Sequence, residues 1–227
     1  MLPQEILSQN PKSIEEFWDS ILPDQCTGCE YKDLRTQIVK NRGDGTCGLC
    51  FCGESPGETE NDNGIPFCGT AGRFLDELLR AAGINPARCW FTNAVKCMPF
   101  PKGSSIQQPK TECMAACRPL LIKELELVNP AILVALGGPA YKTLANDPAP
   151  MPAIKVTPLV GKFFYSESFK RKFIVLFHPS FLGRNSGWKG GTSDCNEMIS
   201  MLKRLSLMAS LVIHERRKTN DDRSEGV

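Results

Sequence analysis

With 227 residues, 41% of them hydrophobic, and a formal net charge of only +2, the chain has the make-up of one globular domain with a sizeable core. No uncharged apolar run approaches the roughly 18 residues of a membrane span, and the start, Met1-Leu-Pro-Gln-Glu5, lacks the basic and apolar regions of a secretory signal. A cytoplasmic protein is therefore expected, with no overall field driving it onto nucleic acid.

In chain order, Ser13-Ile-Glu-Glu16 is a capping-box pattern that opens a short helix over 13–21. Cys26-Thr-Gly-Cys29 follows in a loop. The run 47–52 reads as a strand ending at Gly53. Phe74, Leu75, Leu78, Leu79 and Ala82 keep helical spacing over 71–82, and Gly83 stops that helix. A second strand is expected over 89–95. A loop rich in Pro, Gly, Ser and Gln covers 99–109, and a helix spans 111–128.

Ala131-Ile-Leu-Val-Ala-Leu136 is continuously apolar, as suits a strand buried on both faces of a parallel sheet. Gly137-Gly138 turns into a helix to residue 144, and a proline-rich loop spans 148–158. Phe173-Ile-Val-Leu-Phe177 is the fourth strand, feeding His178. An amphipathic helix covers 193–213, and the polar tail 215–227 is expected to be disordered. This alternation predicts a three-layer α/β/α fold around a mostly parallel four-stranded sheet. It forms one domain over 1–214, with the N-terminal helix and C-x2-C segment (1–46) included.

In such sheets chemistry gathers beyond the carboxyl ends of the strands. Gly53-Glu-Ser-Pro-Gly57 matches the G-x-S-x-G nucleophile elbow and follows a strand. Pro56 argues against a hydrolase of that kind. It has no N–H to complete an oxyanion hole, and it pushes Ser55 toward extended conformations. The alternatives left are a rigid loop presenting Glu54 and backbone groups to a small ligand, or a plain surface turn. His178 stands at another strand end, before a Pro-Ser turn that would send Ser180 and Arg184 outward toward phosphates. Asn93 offers donor and acceptor together for reading a base or amide edge. Phe67 is a stacking ring or simply core. Six basic residues between 161 and 189 (Lys162, Lys170, Arg171, Lys172, Arg184, Lys189), against Glu167 alone, make either a solvated face or a phosphate grip around His178.

Eleven cysteines suit metal binding better than a disulfide framework, which belongs to short secreted domains. The surplus would serve as small buried apolar residues. By spacing alone, Cys26, Cys29, Cys47 and Cys50 form a zinc-ribbon pattern. Yet Cys47 and Cys50 lie in the segment needed as the first strand. The competing set is Cys26, Cys29, Cys97 and Cys117, with Cys113 a possible substitute one turn earlier, and four thiolates are what an iron–sulfur cluster takes. Spacing leaves both sets open.

Seven segments in order resemble the iron–sulfur type of uracil-DNA glycosylase, the fourth family of that superfamily. They are Cys26-x2-Cys29, Gly53-Glu-x-Pro-Gly-Glu-x-Glu60, Gly64-x-Pro-Phe67-x-Gly69-x-Ala-Gly72, Thr92-Asn-x-Val-Lys-Cys97, Glu112-x-x-Ala-Ala-Cys117, Asn129-Pro-x-Ile-x-Val-Ala-Leu-Gly137 and His178-Pro-Ser-x-Leu-x-Arg184. The resemblance implies a base-flipping repair enzyme that hydrolyses the N-glycosidic bond of uracil in single- or double-stranded DNA, working as a monomer in the cytoplasm, at the nucleoid. It implies a structural [4Fe-4S] cluster on Cys26, Cys29, Cys97 and Cys117, zinc being the alternative. Glu54, helped by Glu60, would hold the attacking water, and His178 would bond the uracil oxygen. Phe67, Asn93, Ser55 and Gly57 would bind the base, while Ser180, Arg184 and Lys162 would grip phosphates.

Three departures stand out: Asn61 in place of an acid, Met98 in place of an arginine, and Gly183 in place of a leucine. The loop between Cys97 and Cys117 is longer than usual, as in relatives that trap uracil-DNA covalently through a loop histidine. This loop has no histidine, so that route is not expected. The second class of reading is a nucleic-acid-binding module with zinc or a cluster and no catalysis.

Overall fold

The computed structural model describes residues 11–20, 26, 29–33, 35–101, 103, 109–145 and 155–224, the last four as backbone alone. The end expected for the first helix at residue 21 and parts of the loops 99–109 and 148–158 lie outside these.

The sheet has five strands, in the order β2-β1-β3-β5-β4. They are β1 (Leu49–Gly53), β2 (Trp90–Asn93), β3 (Ile132–Leu136), β4 (Phe163–Ser166) and β5 (Arg171–Leu176). Four run parallel, as expected, in the register Gly53↔Asn93 for β1–β2, Cys52↔Ala135 for β1–β3 and Leu136↔Leu176 for β3–β5. The expectation of four strands is corrected by β4, which pairs antiparallel with β5 as a short edge. Its partly exposed pattern, with Phe163 and Tyr165 outward, carries little of the apolar signal of a buried strand.

Side-chain alternation divides the core into two layers. On one face Leu49, Phe51, Phe91, Val134, Leu136, Ile174 and Leu176 pack with α3 (Thr70–Ala81), α6 (Pro179–Ser186) and α7 (Ser193–Ser224). On the other, Cys50, Cys52, Trp90, Leu133, Ala135, Phe173 and Val175 meet α4 (Thr111–Val128) and α5 (Gly138–Ala145). The first helix, α1 (Ile14–Ser20), starts as its capping box predicts. Ser13 Oγ accepts from the Glu16 N–H at 3.2 Å, although the Glu16 carboxylate takes the N–H of Lys12.

The β2 edge of the sheet is covered. Arg42 exchanges two backbone hydrogen bonds with Phe91, covering the outer side of β2. Its guanidinium lies 4.0 Å over the Phe91 ring and grips Asp76 of α3 with two hydrogen bonds, at 2.9 and 2.7 Å. Beside the entry to β3, α7 continues through 215–224, so the tail expected to be disordered is helical to Ser224. Arg216 holds it there by donating to the carbonyl of Asn129 at 2.8 Å.

Inside the α4 face lies a buried ion pair. Lys96 Nζ is 2.5 Å from Glu124 Oε2, and both side chains are at most 1% exposed. Glu124 also accepts from Trp90 Nε1 at 2.8 Å and Thr92 Oγ1 at 2.9 Å, and Lys96 donates to Thr92 as well. Such a pair adds little net stability over an apolar replacement, but losing one partner strands a buried charge. Lys96→Met is expected to destabilise the fold by about 3–5 kcal/mol in urea unfolding, and Lys96→Met with Glu124→Leu to recover most of that loss.

Candidate active site

The carboxyl ends of β1, β2, β3 and β5 open onto a cleft of about 850 Å³ lined by Glu54, Ser55, Gly57, Phe67, Asn93 and His178 among others. It lies where the strand order reverses, with β2 on one side of β1 and β3 on the other, the expected place for a ligand in an open α/β sheet. The carboxylate loop and the histidine loop therefore meet, as the sequence suggested.

Backbone contacts fix the floor. Ala94 N–H donates to the Gly53 carbonyl and Val95 N–H to the Glu54 carbonyl, both at 3.0 Å, so the loops leaving β1 and β2 move as one. A Cβ on Gly53 would collide with Asn93 Oδ1 and come within 2.6 Å of the Phe67 ring, so the glycine lets both side chains reach the same point. Phe67 has a left-handed φ of 55°, and Gly72 leaves room for its backbone. Phe67 and Asn93 are both buried, at 6% and 3% exposure.

Glu60 faces the cleft, and its Oε1 accepts the Gly69 N–H at 2.7 Å, tying a helix missed by sequence reading, α2 (Glu58–Asn63), to the Phe67 loop. The departure at Asn61 is a buried tie as well. Its side chain donates to Thr36 Oγ1 at 2.8 Å, and its carbonyl accepts from Gln37 Nε2 at 2.7 Å.

His178 is the N-cap of α6, with Pro179 in the first helical position that suits proline. Its Nδ1 accepts the Ser180 N–H at 3.2 Å and lies 2.7 Å from Ser180 Oγ. The ring proton therefore belongs on Nε2. Ser180, expected to reach outward, is thus engaged by the imidazole. Burial, with the charge of Arg184 second, lowers the His178 pKa to about 4, so the ring is neutral at pH 7. Gly183, another departure, leaves space for the Trp188 ring, which packs edge-on against Phe74 at 5.6 Å.

Arg184 lines the cleft, whereas Lys162 is outside its lining, just before β4. Within the basic run, Arg171 is taken up internally, donating to Asn129 Oδ1 at 2.8 Å. Sequence reading did not anticipate Phe100, Val156, Thr157, Phe177 and Phe181 as cleft residues. Phe177 and Phe181 stack at 5.1 Å, and the one available signal was their position flanking His178.

A second centre forms where Cys97 follows β2. Cys26 and Cys29 lie close enough to raise the Cys97 thiol electrostatically, Cys26 and Cys97 act likewise on Cys117, and Cys29 on Cys113. Burial leads each shift, to about 11 for Cys97 and Cys113 and about 12 for Cys117. Arg35 reaches the Cys97 sulfur at 3.8 Å. All five thiols are free. Among the described residues no three His, Cys, Asp or Glu side chains surround a point fit for one metal ion. The donor set suits a group that takes several thiolates and supplies the positive charge to deprotonate them. The zinc-ribbon alternative does not assemble, since Cys50 is inside β1 and Cys47 contacts Cys89.

Burial raises the Glu54 pKa to about 7. A carboxyl raised in the folded state contributes stability that is complete below its unfolded pKa and is lost as pH rises through the folded value. Glu54→Gln is accordingly expected to stabilise the protein by up to about 3 kcal/mol at pH 8 and by nothing below pH ~4, in urea titrations at the two pH values.

A family model described as the uracil DNA glycosylase superfamily matches residues 41–205. A type-4 uracil-DNA glycosylase of Thermotoga maritima is 36% identical over 161 residues, covering 71% of this chain and 79% of that protein. Those of Sulfurisphaera tokodaii and Archaeoglobus fulgidus are each 29% identical, over 172 and 157 residues. These alignments cover 74% and 68% of this chain, and 74% and 76% of the two relatives. The matched span takes in both rims of the cleft, and on that ground the chain belongs to the uracil DNA glycosylase superfamily.

Proposed function

We propose that the protein excises uracil from DNA by hydrolysing the N-glycosidic bond, leaving an abasic site. The observation that carries this reading is the opening of Glu54, Asn93, Phe67 and His178 onto one cleft, in a chain similar to named type-4 uracil-DNA glycosylases. Reaching the bond requires flipping the nucleotide out of the stack, at a cost of a few kcal/mol that is least for mispaired or single-stranded uracil.

In the cleft, Phe67 stacks on the pyrimidine, the Asn93 carboxamide meets its donor–acceptor edge, and the Ser55–Gly57 backbone borders it. Bond breaking leaves positive charge on the sugar and negative charge on the base. The Glu54 carboxylate holds the attacking water and offsets the sugar charge. His178 donates its Nε2 proton in a hydrogen bond to the base oxygen as that oxygen gains charge. Neutrality suits the ring to this task, because no charged imidazole has to be desolvated. Ser180 orients the ring and Glu60 holds the Phe67 loop, so both are positioning residues. Arg184, in the cleft lining, and Lys162, outside it, contact DNA phosphates.

Cys26, Cys29, Cys97 and Cys117 hold a structural [4Fe-4S] cluster, with Cys113 beside them. Four thiolates are the donor set such a cluster takes. Hydrolysis involves no electron transfer, and the cluster's part is to pin the N-terminal segment to the loop after β2. The protein acts as a monomer on single- or double-stranded DNA. Its expected place is the cytoplasm, and among the described residues no helix is long and apolar enough to cross a membrane.

Incubation with a uracil-containing oligonucleotide followed by alkali is expected to give strand cleavage at the uracil. Intact strands would leave only a binding module. His178→Ala is expected to lower the single-turnover rate by a factor on the order of 100 or more. Because the Glu54 carboxylate is the working form, the wild-type rate should fall about tenfold per pH unit below about 7. Protein purified without added metal is expected to be brown, with broad visible absorption. Cys117→Ser should lose that colour and Cys113→Ser keep it.

A further inference from the structure

The sheet has a second chemically active end, away from the cleft. Cys47 stands two residues before β1 and Cys89 immediately before β2, and these strands lie side by side and parallel. Their sulfurs are 3.5 Å apart and unbonded. The backbone holds them in place. Cys47 N–H donates to the Arg88 carbonyl at 2.9 Å, and Cys89 N–H to the Pro86 carbonyl at 3.1 Å.

The two thiols differ in access. Cys89 is fully buried, and its sulfur also donates to the Asn85 carbonyl at 3.7 Å. Cys47 is partly exposed and lines a separate cleft of about 450 Å³ together with Arg88, His214 and Arg217. The Cys47 pKa is lowered to about 7, first by the hydrogen bond it shares with Cys89, with the Leu49 N–H and Arg88 adding to it against burial. Cys89 is raised by the same bond and by burial. The outer sulfur is thus the one a small oxidant can reach, and the inner one lies directly behind it.

We propose that Cys47 and Cys89 form a peroxide-reactive dithiol, in which Cys47 is oxidised by a hydroperoxide and Cys89 resolves it into an intramolecular disulfide. The Cys47 thiolate attacks the O–O bond of hydrogen peroxide, forming an S–O bond and releasing hydroxide, which takes up a proton to become water. The Cys89 sulfur then attacks Cys47. The S–S bond forms, the S–O bond breaks, and the Cys89 proton leaves with that hydroxide as a second water. Two thiols have lost two electrons to one peroxide. Closing the sulfurs to about 2.0 Å is a side-chain movement, since backbone hydrogen bonds already align the two residues. The pair stands apart from the five thiols around Cys97, and the proposal is independent of the uracil-excision reading.

The test is peptide mapping of the full chain, purified with its metal content intact, freed of reductant and exposed to graded hydrogen peroxide before alkylation. The expected product is a dithiothreitol-reversible cross-link between tryptic fragments 43–73 and 89–96, placed at Cys47 by fragmentation within the first peptide, which also carries Cys50, Cys52 and Cys68. Cys47 should lose its alkylation at peroxide levels about tenfold below those needed for partly exposed Cys68, which serves as an internal reference. In Cys89→Ser, Cys47 should accumulate as sulfenic acid and be captured by dimedone; Cys47→Ser should abolish both products. Full alkylation of Cys47 and Cys89 at peroxide levels that consume Cys68 would overturn the proposal. So would a cross-link from Cys47 to any other cysteine. The wild-type map alone decides the question if a variant fails to fold.

Discussion

The Lys96–Glu124 pair governs what surrounds it. It fastens the end of β2 to α4 through one carboxylate that also engages Trp90 and Thr92. Asn93 directly precedes the loop so fastened and Cys97 directly follows Lys96, so one buried contact positions the Asn93 amide in the cleft and the Cys97 thiol together. An ionic core of this kind costs desolvation and returns geometry. The Trp18 ring, 5.6 Å from Lys96 Nζ, adds an aromatic wall on the N-terminal side.

The cleft is electrostatically unusual. Burial raises a carboxyl to about 7 and lowers an imidazole to about 4, so at neutral pH the carboxyl is poised between its two forms and the imidazole is wholly neutral. Neither shift is favourable for folding, which is the expected mark of a site kept for chemistry. The glycines beside it serve the same end by approach distance. Gly53 admits Asn93 and Phe67, and Gly137, at φ 87°, leaves 3.2 Å between a would-be Cβ and His178.

The parallel strands were legible because Leu49–Cys52 and Ile132–Leu136 are continuous apolar runs buried on both faces. The residues at their carboxyl ends then named Glu54, Asn93 and His178 as candidates. β4 escaped notice because half of its side chains face water. α2 is entirely polar, so its order rests on tertiary ties such as Asn61 to Thr36, which no periodicity encodes. The Pro-Ser after His178 looked like a turn, although proline in a first helical position and a side-chain cap are equally a helix start. The walls supplied by Phe100, Val156 and Thr157 depend on where long loops return, and short-range pattern carries no such information. The helical tail likewise depends on Arg216 reaching carbonyls on a distant helix.

Phe100 closes one side of the cleft only three positions beyond Cys97, and Gly103 is hydrogen-bonded back to Glu58 at 2.5 Å. Phe100 thus stands close in sequence both to a thiol and to a tether on the acidic helix. A disturbance among the thiols around Cys97 therefore has a shorter covalent path to this wall than to any other part of the cleft.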